Sequence, residues 1–134
     1  MEKKIRLNIV TNDNKNINEN IISIITETID GKVEILSNHA KAIISTIPTV
    51  TIFIDESGGK KKIFTSSGIL YINSNLIMFC CDSADFPEEI DLERAERAKE
   101  RAEKRLANKN DIDIERAKKA LLRAKARIEL KKCI

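Results

Sequence analysis

A chain of 134 residues is long enough for one ordinary domain, or a small one with an appendage, and too short for a large multidomain enzyme. With 42% apolar and 34% charged residues, it should fold around a core rather than stay disordered. The net charge of +3 hides a split: residues 1–90 carry 9 Lys/Arg against 12 Asp/Glu, a balance of −3, and residues 91–134 carry 15 against 9, a balance of +6. A cationic tail attracts polyanions or acidic protein surfaces, and its sign alone does not say which. No apolar run approaches the roughly 18 residues of a spanning helix, and the charged start, Met1 to Arg6, has no signal-peptide core behind it. Any membrane contact is therefore expected to be indirect. Cys80, Cys81 and Cys133 form no CxxC pair and have no histidine nearby, so neither a zinc site nor a disulfide framework is expected, and a reducing cytoplasm suits them.

From Lys3 to Asp82 the apolar residues recur with a period of two, rich in Ile, Val and Thr, which predicts strands. Ile5, Leu7 and Ile9 alternate with Arg6, Asn8 and Val10, ending at an Asn-rich turn, Thr11 to Asn16. Further strands are expected at 21–28, 32–36, 42–47, 49–55, 61–65, 69–72 and 76–81. Asp30-Gly31 and Ser57-Gly58-Gly59-Lys60 supply residues that tolerate positive φ, and Pro48 restricts the chain between two runs. Many short strands at this spacing predict an antiparallel sandwich or barrel.

After Pro87 glycine, proline and aromatics vanish, and Ala, Glu, Lys and Arg, all strong helix formers, dominate. Asp91 is placed to cap a helix ending near Asn108. A polar break, Asn108 to Asp113, leads to a second helix that Asp113 caps and that runs to about Lys131. Ile114, Ala117, Leu121, Ala124 and Ile128 make a narrow stripe on the second helix; Leu92, Ala95, Ala98 or Lys99, Ala102 and Leu106 nearly repeat it on the first. The fold class expected is α+β: an N-terminal antiparallel β-sandwich over residues 1–86, then a C-terminal antiparallel two-helix hairpin over 87–134. Burying a Leu or Ile contributes roughly 1.5 to 3 kcal/mol and a methyl only about 0.8, so stripes built mostly of alanine predict a hairpin weakly committed to one packing, a movable element.

Arginine forms the conspicuous constellation. Arg94 and Arg101 share one helix face, as do Arg116, Arg123 and Arg127 on the next, and in a hairpin the two faces can converge on a phosphate-bearing ligand. The plainer alternative is a solvated face with i,i+4 pairs such as Glu93 with Arg97, Glu100 with Lys104, and Glu115 with Lys119. His39 is the only histidine, either a turn residue or a docking contact, so no histidine pair or metal cluster is available. Gly58-Gly59-Lys60 lacks the GxxxxGK[ST] spacing of a phosphate loop. Cys80 and Cys81 should face opposite sides of a strand, and no carboxylate pair stands out for acid/base chemistry. A small sandwich enzyme thus lacks a nucleophile, base and orienter set, and a basic nucleic-acid-binding or scaffold protein lacks stacking aromatics in its tail.

Ile90-Asp91-Leu92-Glu93-Arg94-Ala95 matches the [I/L]DxxRA motif of bacterial F-type ATP synthase epsilon subunits. Asp111-Ile112-Asp113 through Arg116-Ala117 to Arg127 also resembles that family, as do Ser66-Ser67-Gly68-Ile69-Leu70-Tyr71-Ile72 and Leu36-Ser37-Asn38-His39-Ala40, the last two beside its SGGFLEV and LPGHA. Ser37-Asn38 replaces the usual Pro-Gly, and Glu34 stands where Gly is common, which predicts a loop of different shape. The resemblance implies a non-catalytic rotor subunit at the cytoplasmic face of the bacterial cell membrane, held there through its complex. Its implied partners are the gamma subunit, the c-ring and the alpha/beta head. Docking on the c-ring would involve Ile29, Asp30, Gly31, Lys32 and His39. The hairpin would inhibit ATP hydrolysis when extended, and ATP would be a regulatory ligand of its folded form rather than a required cofactor. Carried over by motif, the ATP contacts would be Ile90, Asp91, Arg94 and Ala95, with Arg101, Arg116, Arg123 and Arg127 near the phosphates and Asp85 as an acidic contact.

Overall fold

A computed structural model describes residues 4–108 and 113–132. Lys3, most of the expected break (Asn108 to Asp113, including Asp111-Ile112) and Cys133 lie outside the described residues. Nine strands come first: β1 (Ile5–Thr11), β2 (Asn16–Thr28), β3 (Gly31–Ile35), β4 (Ala42–Thr46), β5 (Thr49–Asp55), β6 (Lys60–Thr65), β7 (Gly68–Asn73), β8 (Leu76–Cys81) and the two-residue β9 (Ala84–Asp85). A single 3-10 turn (Pro87–Glu89) then leads to α1 (Leu92–Ala107) and α2 (Ile114–Lys132). No helix among the described residues is long and apolar enough to cross a membrane.

The strands pair in the order β4-β7-β8-β1-β2-β5-β6-β9, with β3 attached to β2 alone. Strand β2 makes a sandwich from this one ribbon. Its first half, Asn16 to Ile21, pairs with β1, and its second half pairs with β3 and β5 after a register shift between Ile21 and Ser23. Such a bulge bends a strand, so β2 crosses from one layer to the other. The backbone N–H of Ile47 closes the layers by donating to the Glu27 carbonyl at 3.0 Å. Between them Ile5, Leu7, Ile9, Ile24, Ile35, Phe53, Ile63, Leu70, Ile77 and Phe79 are buried, the inward set of the alternating runs. Thr26, Thr51 and Thr65 are buried in the same interior. They satisfy one another through a hydroxyl chain of 2.9 and 2.7 Å, removing the cost of burying lone hydroxyls.

One pair departs from the expected antiparallel pattern: β1 and β8 run parallel, the chain between Thr11 and Leu76 supplying the crossover. Strand β2 also begins at Asn16, inside the expected turn: Asn16, Asn18 and Asn20 are turn formers, and Glu19 interrupts the inward row of Ile17 and Ile21. The turns behave as their chemistry requires. Gly31 (φ +122) and Gly58 (φ +89) take the left-handed region in two hairpin turns. Asn38, in the altered LSNHA loop, takes φ 63 and donates its N–H to Asn75 Oδ1 at 2.8 Å, so asparagine serves where glycine is usual.

The helices meet along the predicted alanine seam, with Ala95 and Ala102 of α1 and Ala117 and Ala124 of α2 buried, while Ile114 at its end is exposed. The seam is not all that holds α2. Ala126 and Leu130, off that stripe, are buried on the outer face of the sandwich with Phe64, Ile90 and Val50. Phe64 is buried beside buried Ile63 and Thr65, breaking the period-two pattern of β6 because α2 covers the outer face there. The hairpin is thus anchored more firmly than two alanine stripes imply, and α2 is the anchored helix.

Two stability measurements follow. A Cβ on Gly68 would lie 2.3 Å from the Cys80 carbonyl oxygen, so Gly68→Ala is expected to cost about 2–3 kcal/mol in denaturant unfolding. Leu130→Ala is expected to cost about 2–4 kcal/mol of helix docking, seen as faster amide exchange in α2 with exchange in β1 and β8 unchanged.

Candidate functional site

The linker and the first turn of α1 have local structural causes. Ile90 is buried against Phe64, Ala126 and Leu130. Asp91 caps α1, its carboxylate accepting the Arg94 N–H at 3.2 Å. Ala95 is buried in the seam. Three residues of the Ile90–Ala95 motif thereby set the angle at which α1 leaves the linker, and Arg94 is left to project. Asp113 caps α2 in the same way, accepting the Arg116 N–H at 3.2 Å. Of the predicted surface pairs, Arg97 and Glu93 stand 3.9 Å apart, whereas Glu115 meets Lys118 rather than Lys119.

A cleft of about 720 Å³ opens between the hairpin and the end of the sandwich. Its helical walls carry Arg94, Ala98, Arg101, Ala102 and Arg105 from α1 and Ala120, Arg123, Ala124 and Arg127 from α2. The other side is formed by Asp13, Ser83, Asp85, Glu89, Ile90 and Asp91. Of the residues assigned to an ATP site, Asp85, Ile90, Asp91, Arg94, Ala95, Arg101, Arg123 and Arg127 all line this one space. Arg116 does not line it. It stands close enough for its charge to act on Arg123, whose guanidinium is held below its ordinary pKa foremost by burial, then by Arg127 and Arg116.

Arg127 is the best-held cation of the cleft. Its Nε donates to Asp85 Oδ2 at 3.1 Å, one terminal nitrogen donates to Ser83 Oγ at 3.2 Å, and the guanidinium lies 4.3 Å from the centre of the Phe64 ring. Asp85 sits directly across from Phe64 in the β6–β9 pairing, so the short strand β9 fixes acid and ring together. Farther along α2, Lys131 Nζ donates to the Pro87 carbonyl at 3.0 Å. Arg94, Arg101, Arg105 and Arg123, by contrast, form no side-chain hydrogen bond or ion pair among the described residues. Four unpaired guanidiniums around one concave space make an electropositive wall with its donors unspent.

Sequence reasoning missed Arg105, Asp13, Ser83 and Glu89. Arg105 was within reach, because it follows Arg101 by four residues and so shares its face. The other three arrive from the β1–β2 turn, the β8–β9 turn and the linker, which no helical spacing connects to the arginines. Among the described residues no group of His, Cys, Asp and Glu could hold a metal ion. Cys81 is buried, and burial pushes its thiol up to about 12, so it is an inert core residue.

The residues assigned to c-ring docking divide into two places. Ile29 is 88% exposed at the β2–β3 turn with Asp30 beside it, and Gly31 and Lys32 open β3. His39 lies past the other end of β3, its Nδ1 2.7 Å from the Ala40 carbonyl. Five residues of strand, about 16 Å, separate the turn from the histidine's loop, so the structure does not bring them together. They flank the same open edge, since β3 pairs with β2 alone.

Comparison with known proteins agrees along the chain. The β-sandwich domain of the ATP synthase delta/epsilon chain matches residues 4–87, and the long alpha-helix domain of the same chain matches residues 88–132. The ATP synthase epsilon chain of Clostridium acetobutylicum is 45% identical over 111 residues, covering 83% of this chain and 84% of that one. The epsilon chain of Clostridium botulinum strain Okra is 47% identical over 112 residues with the same coverage. Among solved structures, a chain of the Euglena gracilis mitochondrial ATP synthase, determined with OSCP, F1 and c-ring, is similar with TM-score 0.80 at 22% identity, covering 94% of this chain and 79% of that one. A chain from the central stalk and c-ring of the Tetrahymena thermophila enzyme gives TM-score 0.55 at 13% identity, covering 98% and 96%. With both halves matched in order, and relatives near half-identical over most of its length, the chain belongs to the ATP synthase delta/epsilon chain family.

Proposed function

We propose that the chain is a non-catalytic central-stalk subunit of an F-type ATP synthase, whose sandwich docks on the gamma subunit and c-ring and whose hairpin regulates ATP hydrolysis through bound ATP. Family membership supports the assembly role. The regulatory role is carried by one observation: four guanidiniums without carboxylate partners face a cleft between the hairpin and the body it folds against. A triphosphate there would meet arginines from both helices at once, and those donors come together only while the hairpin is folded. ATP would therefore bind the folded form preferentially; at 100 times its dissociation constant it would favour that form by about 2.7 kcal/mol. Extended, the basic arms would meet acidic surfaces of the alpha/beta head and oppose rotation in the hydrolysis direction. The subunit would lie at the cytoplasmic face of the cell membrane, in contact with it only through the complex.

For docking on gamma, the outer face of β4, β7, β8 and β1 is the best-suited surface. Strand register aligns Ile43, Tyr71 and Met78 in one row across it, and Ile43 is 72% exposed. An uncovered apolar row of this kind marks a protein contact. The β3 edge, with Ile29 at one end and His39 at the other, would face the c-ring.

Two measurements test this reading. Arg123→Gln is expected to weaken ATP binding at least tenfold by calorimetry while leaving the stability of the free protein within about 0.5 kcal/mol, because Arg123 makes no side-chain hydrogen bond or ion pair among the described residues and its attraction to Asp82 is opposed by Arg127 and Arg116. No heat and no helix protection at millimolar ATP in the unaltered chain would remove the nucleotide role. Ile43→Asp combined with Met78→Asp is expected to abolish co-purification with gamma while leaving the circular dichroism of the sandwich unchanged, and retained co-purification would move the docking face elsewhere.

A further inference from the structure

We propose that Lys15 is a positioning residue of the cleft: it draws the carboxylates of Asp85 and Glu89 away from an incoming anion and keeps Asp85 turned toward Arg127. The inference rests on the reading of the cleft as a nucleotide site. Lys15 does not line the cleft. It lies on the β1–β2 turn behind the sandwich-side wall, with its side chain 26% exposed. Its ammonium is 2.7 Å from Glu89 Oε2, 2.7 Å from the Ala84 carbonyl and 3.6 Å from Asp85 Oδ1. Two hydrogen bonds and one longer ion pair hold this ammonium in place.

Both carboxylates are held at a second point. Glu89 Oε1 accepts the Phe86 N–H at 2.9 Å, which caps the 3-10 turn. Asp85 Oδ2 accepts from Arg127. A chain of charge therefore runs Lys15, Asp85, Arg127 from the β1–β2 turn through β9 to α2. The hydrogen bond from Lys15 is the foremost cause holding the Glu89 carboxyl below its ordinary range.

The wall this lysine backs is otherwise hostile to phosphate, because Asp13, Asp85, Glu89 and Asp91 all border the cleft. With the ammonium in place, Asp85 and Glu89 present compensated charges. Without it, one more uncompensated negative charge, that of Glu89, would face the ligand, and Asp85 would have Arg127 as its one cation. At separations of about 8 Å in partly screened surroundings, one such charge changes affinity about five- to tenfold. The role is invisible to helical spacing, since Lys15 sits between two asparagines far from either helix in sequence.

The test uses the full chain, titrated by calorimetry with ATP and separately with inorganic tripolyphosphate. Lys15→Gln is expected to weaken both about five- to tenfold, Lys15→Arg to bind within about twofold of the unaltered chain, and Lys15→Gln with Glu89→Gln to regain most of the loss, since the uncompensated carboxylate is then gone. A purely structural lysine would show no such recovery. Should the unaltered chain bind while Lys15→Gln binds equally well, or should neither Arg nor the double change restore a loss, the assignment of Lys15 is wrong and the nucleotide site stands. Should the unaltered chain bind neither ligand, the nucleotide reading fails and takes this inference with it.

Discussion

The helical half of the molecule depends on one contact, the Arg127 guanidinium held between the Phe64 ring and the Asp85 carboxylate. Three parts of the chain meet there: β6 through Phe64, the short strand β9 through Asp85, and the hairpin through Arg127. A guanidinium suits the position because its face stacks on the ring while its edge donates to the acid, which an ammonium could not do together. Ile90, Ala126 and Leu130 close over the same ring, so the polar contact sits against an apolar one and is shielded from water on that side. From this point the direction of α2 is set, α1 follows along the alanine seam, and the remaining arginines are brought round the cleft.

The cleft is therefore an outcome of docking rather than a preformed cavity in either half. Its cations come from the helices and its carboxylates from the sandwich and linker, so separating the halves would divide the site by charge. That division matches the charge split along the chain, −3 for residues 1–90 and +6 for residues 91–134. On the proposed reading it would couple occupancy to position: a ligand that needs both helices in place would report on the hairpin and stabilise it in the same act.

The strands and helices were legible in the sequence because their apolar residues keep the period of the element they form, and because Asp91 and Asp113 mark helix starts. What was not legible has a physical reason in each case. The first half of β2 is crowded with asparagine, a turn former, and carries Glu19 at an inward position where an apolar residue would announce a strand. Strand β9 is too short to show any period and exists because Ala84 and Asp85 can pair with β6. Phe64, an aromatic out of phase with its own strand, did carry the sign of a covering element, but Ala126 and Leu130 fall off the main stripe and gave no matching sign. The arginines of the cleft were largely found, because side chains seven or four apart share a helix face. Lys15, Asp13 and Glu89 were not, since their approach is made by the tertiary fold alone.

The parallel pairing of β1 with β8 fixes an order of assembly. Strand β1 must wait for β8 before its second edge is covered, so the central layer cannot close until Cys81 has been made. By then β2 and β5 are available, and the linker and helices follow behind a surface already built. The hairpin is made after the strands, and the main buried core of the sandwich, from Ile5 to Ala84, includes no helix residue. On the reading proposed above, a segment added in this way would leave again without undoing what it was added to.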